Sequence, residues 1–78
     1  MKDEQQVYSL VAGVWCEILG IEAAQPTDSF FDVSGTSIAA EHIASRICDA
    51  LPVTVKGSDI LRQGTLANVT AFVVSQLS

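Results

Sequence analysis

The stretch "FFDVSGTSIAAEHIASRI", residues 30–47, changes from a loop pattern to a helix pattern at its middle. Its first part holds two aromatic residues, an acid and the run Ser-Gly-Thr-Ser, a composition typical of a loop. Its second part places apolar residues at helical spacing, which predicts a buried helix face. Ser37 lies at the junction, where it can be a helix cap, a nucleophile or a point of attachment.

The regions on either side of this stretch also predict helices. A first helix is expected over about residues 4–19, with Trp15 beside its apolar stripe and Gly20 in a left-handed terminal position. The stripe consists of Val7, Leu10, Val11, Val14, Ile18 and Leu19. The helix that begins near Ser37 is expected to stop at Leu51, because Pro52 disfavours helical geometry just before it. Its buried face should comprise Ala40, Ile43, Ala44, Ile47 and Leu51.

Two shorter patterns complete the chain. Ser58 is predicted to cap a brief helix over 59–63 that Gly64 ends, and Thr65 to cap a last helix. The apolar side of that last helix consists of Leu66, Val69, Phe72, Val73 and Leu77. No segment predicts a strand with any strength. The expected fold is all-α, a small bundle of three main helices and one short helix, forming one domain over residues 1–78.

The long first loop, residues 20–36, is not expected to be a free linker. It contains Ile21, Phe30, Phe31 and Val33, which would otherwise expose a large apolar surface. Loops of this length in compact domains are usually functional or packed by their own side chains. We therefore expect the two phenylalanines to pin the loop across the helices, with at least one ring buried.

Composition excludes several classes of function. The formal net charge is −5, so nucleic acid and anionic membrane are poor partners, since both need a basic surface. Cys16 and Cys48 lie in helical contexts with 31 residues between them and are interpreted as buried free thiols of a cytoplasmic protein. The acidic, polar N-terminus does not resemble a signal peptide, and no apolar run has the length of a membrane span.

Catalysis and metal binding fit the region around Ser37 poorly. A nucleophile elbow needs glycine two residues after the serine and a strand before it, whereas Ala39 and a loop occupy these places. His42 lies five residues further along the same helix and points away from Ser37. A calcium loop counted from Asp32 would put Ser37 where glycine is required and Ile43 where glutamate is required. We therefore expect no enzyme activity and no metal site.

The remaining alternatives for Ser37 are a helix cap and an attachment point. A serine just before an apolar helix is commonly a cap. Thr36 is an equally good cap, however, which would leave the Ser37 hydroxyl free. A helix N-terminus carries unpaired N–H groups and the positive end of the dipole, so a phosphate ester on a serine there is favoured.

The segment "DSFFDVSGTSIAAEHIASRI" resembles the core motif of carrier proteins, the thiolation domains of nonribosomal peptide and polyketide assembly lines. That motif is an aromatic or apolar loop segment followed by Gly-Gly-x-Ser-Leu/Ile at a helix start. The likeness extends through the short helix and "GTLANVTAFV", so it covers nearly the whole chain and implies an acyl-carrier-protein-like bundle. The sequence "FFD" at residues 30–32 is more like peptidyl than fatty-acid carriers. One departure is Ser34, which stands where the motif has its first glycine.

The resemblance implies that Ser37 is esterified with 4′-phosphopantetheine from coenzyme A. The arm would hold aminoacyl, peptidyl or acyl groups as thioesters, most simply in nonribosomal peptide synthesis. The implied partners are a phosphopantetheinyl transferase, adenylation, condensation or ketosynthase enzymes, and thioesterase or tailoring enzymes. A monomer is expected. The alternatives are a polyketide acyl carrier and an unmodified helical adaptor.

A docking surface is expected on the exposed face of the second helix, where the arm would emerge. Ile38 is its one large aliphatic residue, and the face continues through Glu41, His42, Ser45 and Asp49. A small apolar anchor ringed by polar groups is how interaction hot spots are built. Val33 and Ile60 are expected to extend the apolar patch, and Glu41 and Asp49 to steer basic partners.

Overall fold

The computed structural model describes residues 4–30 and 36–77 of the chain. Over these residues the fold is four α-helices, and its one extended pairing is an isolated bridge between Ser29 and Thr65. The helices are α1 (Glu4–Leu19), α2 (Ser37–Ala50), α3 (Gly57–Gln63) and α4 (Leu66–Leu77). The predicted all-α bundle of three main helices and one short helix is therefore confirmed, with its helix limits within a residue or two.

Each helix contributes one apolar face to a single core. The predicted buried face of α2 is confirmed at every position, from Ala40 to Leu51. On α1 the middle of the predicted stripe is buried, and Leu10, Ile18 and Leu19 at its margins are only partly covered. The buried residues of α1 are Val7, Val11, Val14 and Trp15. Amphipathic patterning thus identifies the core, whereas its margins depend on which neighbours cover them.

Phe30 anchors the first loop in this core. Its side chain is fully buried, and its ring packs edge-on against Trp15 with 5.6 Å between ring centroids. Edge-to-face packing is a favoured arrangement of aromatic rings. The expectation that at least one phenylalanine of the pair is buried is confirmed by Phe30. Phe31 lies outside the described residues.

The loop also supplies hydrogen bonds to the start of α4. The carbonyl of Asp28 accepts from Leu66 N at 3.2 Å, and the carbonyl of Pro26 accepts from Ala67 N at 2.9 Å. The Thr65 hydroxyl accepts from Asn68 N at 3.1 Å, which confirms Thr65 as the cap of this helix. The first N–H groups of a helix have no partner within it. Here loop carbonyls and one side chain satisfy three of them.

The start of α3 differs from the prediction. Ser58 is not its cap, because the helix already begins at Gly57 and Lys56 occupies the cap position. The Asp59 carboxylate instead accepts from the backbone N–H of Lys56 at 3.0 Å, closing the first turn from inside the helix. Gly64 ends α3 with φ of 82°, and Gly20 follows α1 with φ of 72°, as predicted for both glycines.

The cysteines are free thiols that are half-buried rather than buried. Cys48 Sγ lies 3.3 Å from both the N–H and the carbonyl oxygen of Val55, accepting from the first and donating to the second. This pair of hydrogen bonds holds the extended connection between α2 and α3 against the end of α2. Across 4–30 and 36–77, no helix is long and apolar enough to cross a membrane.

Candidate attachment site

The start of α2 is organised by Thr36. This residue has extended backbone angles, φ −118° and ψ 166°, and its side-chain oxygen accepts from Ala39 N at 3.1 Å. Its carbonyl accepts the first helical bond, from Ala40 N at 2.9 Å. These features define an N-cap residue. Of the two adjacent hydroxyl residues, Thr36 therefore caps the helix.

Ser37 is the first residue of α2, and it is exposed. The cap role that a serine at a helix start commonly fills is already taken by its neighbour. The first N–H groups of the helix lack intrahelical acceptors, and the positive end of the helix dipole lies at the same place. The surroundings of Ser37 thus favour a negatively charged group on its oxygen. The motif residues that precede it, Phe31 to Gly35, lie outside the described residues.

Ile38 is the only large apolar side chain that is exposed within the described part of the chain, with 69% of its surface accessible. It directly follows Ser37 on α2. Scattered exposed apolar residues are ordinary on protein surfaces. Its place beside an exposed serine at a helix start is what makes this one a candidate contact.

The polar residues predicted for the same face are also exposed. They are Glu41, His42, Ser45 and Asp49. Glu41 leans onto α3, where a side-chain carbon at Gly57 would collide with its carboxylate. His42 and Ser45 instead line a groove of about 280 Å³ with Ile18 and Arg46. Sequence spacing predicts that these residues share one side of α2. It does not show that Glu41 lies against α3 while His42 and Ser45 lie beside α1.

Ile60 does not belong to this surface, so the expectation that it extends the apolar patch is wrong. Its side chain is 1% exposed and is part of the core. A helix of seven residues is marginal by itself and needs an apolar anchor in the core. Ile60, in the middle of α3, is that anchor. The other predicted extension, Val33, lies outside the described residues.

Ile18 and Arg46 are groove residues that the sequence pattern did not identify. Ile18 belongs to the predicted apolar stripe of α1, but it lies near the C-terminal end of that stripe and is only half-buried. Arg46 directly follows Ser45, and apart from its charge nothing in the sequence pattern indicates that it lines a groove. Their proximity depends on how α1 crosses α2, which helical spacing does not reveal.

Arg46, one of the residues that line this groove, also forms an ion pair. Arg46 Nη1 donates to Glu17 Oε1 at 3.0 Å, which joins α2 to α1. This hydrogen bond, together with the attraction of the guanidinium charge, lowers the pKa of Glu17 from its ordinary value of 4.5. The same contact raises the pKa of Arg46. Both side chains are largely exposed, so the pair contributes little to the free energy of unfolding.

The pH dependence of this pair has a definite sign. Because the pKa of Glu17 is lowered by folding, the pair's contribution is fully present above pH 4.5 and is lost as pH falls through the folded-state pKa. Glu17→Gln should therefore lower the melting temperature slightly at neutral pH. It should leave the melting temperature unchanged below the folded-state pKa of Glu17, where the carboxyl group is protonated. Repeating the melts at about 0.5 M salt should shrink the neutral-pH difference, since salt screens exposed charges. A difference that grows in acid would contradict the assignment.

A second groove, of about 380 Å³, lies at the first turns of α1 and α4. It is lined by Glu4, Gln5, Tyr8, Pro26, Ala67 and Thr70. None of the predicted site residues lines it. The hydroxyl of Thr70 is buried and has no hydrogen-bond partner among the described residues.

These features define a small helical bundle that presents one serine, free of the capping role, at the start of a central helix. Residues 9–73 match the family model described as "Phosphopantetheine attachment site". The match covers most of the chain, and the chain belongs to this family. It is a carrier domain of the kind to which 4′-phosphopantetheine is covalently attached. Such carrier domains are generally not catalytic.

Similar proteins point in the same direction. The chain is 34% identical over 70 residues to the nonribosomal peptide synthetase echPS of Aspergillus ruber, a match that covers 86% of the chain and 3% of the synthetase. It is 31% identical over 71 residues to bacitracin synthase 2 of Bacillus licheniformis, covering 91% of the chain and 3% of that protein. The chain thus spans a very small part of these relatives, which are far longer proteins.

The fold is shared with a solved carrier protein. The structure of BlmI, a type-II acyl carrier protein from Streptomyces verticillus involved in bleomycin biosynthesis, superimposes with a TM-score of 0.90. The similarity covers 96% of this chain and 90% of that protein, at 25% identity. The predicted acyl-carrier-protein-like bundle is confirmed by this similarity.

Proposed function

We propose that Ser37 is the residue that carries 4′-phosphopantetheine, and that the chain holds aminoacyl or peptidyl groups on it. The observation that carries the proposal is the division of roles at the start of α2. Thr36 provides the cap through its bond to Ala39 N, while Ser37 is exposed as the first helical residue. The cofactor in this proposal is the one that the chain's family carries, 4′-phosphopantetheine.

The chemistry required of Ser37 is modest. Its oxygen would bond to the phosphorus of coenzyme A that bears the pantetheine, with loss of the hydroxyl proton and departure of the adenosine bisphosphate. The resulting phosphodiester would be anionic. It would lie beside the unpaired N–H groups of the first turn and the positive end of the α2 dipole, an arrangement that stabilises it. When bound, the arm supplies a terminal thiol that holds cargo as a thioester.

The cargo and partners follow from the relatives. The first of the two relatives quoted above is named a nonribosomal peptide synthetase, which supports an aminoacyl or peptidyl cargo over a polyketide acyl group. The proposed partners are a phosphopantetheinyl transferase, an adenylation enzyme, a condensation or ketosynthase enzyme, and a thioesterase or tailoring enzyme. We further propose that the chain acts in the cytoplasm as a monomeric, non-catalytic carrier domain over residues 1–78.

The proposed docking surface is the exposed face of α2. Ile38 supplies its apolar anchor next to Ser37, and His42 and Ser45 continue the face along the groove shared with Ile18. A central apolar contact within a polar rim is typical of interaction hot spots. Glu41 and Asp49 add negative charge to the same helix face, so association with basic partners should weaken as salt increases.

The direct test is the intact mass after incubation with coenzyme A and a broad-specificity phosphopantetheinyl transferase. The wild-type chain should gain one phosphopantetheinyl group, and Ser37→Ala should gain none while melting like wild type. Ser58→Ala is the matched control, because Ser58 is also an exposed serine in the first turn of a helix. It should be modified normally. A folded wild-type chain that gains no mass would instead favour an unmodified adaptor.

A further inference from the structure

Two hydroxyl residues are adjacent at the start of α2, and only one of them can cap the helix. A cap residue keeps an extended backbone, and its side-chain oxygen accepts an N–H two or three residues further on. Thr36 has this backbone, and it accepts from Ala39 N at 3.1 Å. Ser37 has the helical conformation that follows a cap. Serine is also a good cap residue, so the helix could be capped one residue later.

Capping by Ser37 would change the chemistry of its oxygen. The helix would then begin at Ile38, and Ser37 Oγ would accept from Ala40 N, three residues further on. In the structure that N–H is bonded to the carbonyl of Thr36 at 2.9 Å. A capping oxygen is already engaged by a backbone donor. That hydrogen bond would occupy one lone pair of the oxygen and fix its orientation, which makes the oxygen a weaker and less accessible nucleophile.

We infer that Thr36 is a positioning residue for the modification of Ser37. Its hydroxyl takes the cap, so that Ser37 stays the first helical residue with its own hydroxyl available. This inference rests on the proposed function, and it adds which side chain keeps the serine reactive. Removing the Thr36 oxygen should shift the cap to Ser37 and slow the modification without affecting how the partner docks.

The chain contains a matched control for this effect. Thr65 caps α4 in the same way, accepting from Asn68 N at 3.1 Å, and it is followed by Leu66 rather than by a second hydroxyl residue. Thr65→Val therefore removes an equivalent hydrogen bond at a helix start that carries no attachment serine. Any effect of losing a cap on overall stability should appear in both variants.

The experiment compares Thr36→Val, Thr36→Ser and Thr65→Val in two assays. The first is amide hydrogen exchange in the unmodified chain, and the second is kcat and KM for modification by the transferase. In Thr36→Val the Ala39 amide should exchange faster and kcat should fall about fivefold, the factor to which the free energy of one cap corresponds, with KM unchanged. Thr36→Ser, which keeps the capping oxygen, should restore both readouts. Thr65→Val should have a lower melting temperature than wild type but should be modified at the wild-type rate.

Several results would overturn the inference. An unchanged kcat in Thr36→Val, an unchanged Ala39 exchange rate, or an equal slowing in Thr65→Val would each do so. If Thr36→Val does not fold, Thr36→Gly replaces it, because glycine is tolerated at the cap position yet has no side-chain oxygen. Amide exchange needs no transferase, so it tests whether the Thr36 oxygen caps the helix even if the wild-type chain is never modified. That last result would refute the proposed function instead.

Discussion

Phe30→Ala should lower the free energy of unfolding by about 3–5 kcal/mol, the usual effect of truncating a buried phenylalanine. The ring is fully buried and packs edge-on against Trp15 at 5.6 Å between centroids. A chain of 78 residues is expected to have only about 4–12 kcal/mol in total. The substitution should therefore remove much of the stability, as measured by urea or thermal denaturation.

The loss should exceed that of a matched substitution elsewhere. Phe72→Ala makes the same chemical change on α4, where the ring is only half-buried, so its effect should be clearly smaller. The larger effect of Phe30 has a second source, since its backbone N–H donates to Gly64 and the neighbouring loop carbonyls satisfy the start of α4. If Phe30→Ala melts within a degree or two of wild type, the loop is not anchored as described.

Ile38→Asp should weaken the association with partner enzymes while leaving the fold intact. The side chain is 69% exposed, so its loss removes little buried surface. An acid in the first turn of α2 is also favourable to the helix dipole. Truncating an interaction hot spot typically costs more than about 1–2 kcal/mol, so KM for the transferase should rise roughly 5- to 30-fold. Loading by an adenylation enzyme should fall in the same direction.

Two further variants separate the causes of that effect. Ile38→Ala removes the apolar surface without adding charge, and it should show most of the rise in KM. Ala71→Asp adds the same charge at an exposed position on α4 and should leave KM unchanged. Normal modification and loading of Ile38→Asp would show that α2 is not the docking face. Unfolding of Ile38→Asp would contradict the observed exposure of the side chain.

Sequence patterning was most informative where an interaction is local. Helical periodicity identified α1 and α2 almost to the residue, since the apolar stripe and the terminal Gly20 or Pro52 lie within the same short segment. Local chemistry likewise identified Thr65 as a cap and narrowed the cap of α2 to Thr36 or Ser37. The proposal that Ser37 is the attachment residue came from the same short junction and from its resemblance to a known motif.

Patterning failed where two distant segments compete for one side chain. Ile60 was expected to extend the proposed docking surface. It is buried instead, because a helix as short as α3 is stable only when it packs an apolar side chain into the core. The error at Ser58 was local instead, since Asp59, one residue further on, accepts from Lys56 N and closes that turn. The groove that joins Ile18 to His42 and Ser45 had no local signal, because it exists only where α1 crosses α2.

The division follows the range of the forces involved. Helix limits and buried faces depend on neighbours within about one or two turns, and residue order alone specifies these. The packing of Phe30 against Trp15 and the burial of Ile60 depend on contacts between segments that are apart in the chain. The cap of α2 lies between two adjacent residues that both suit the position, so residue type alone does not decide it. The positions of Phe30 and Ile60 are decided by packing of the whole domain, since each of these side chains has more than one acceptable local state.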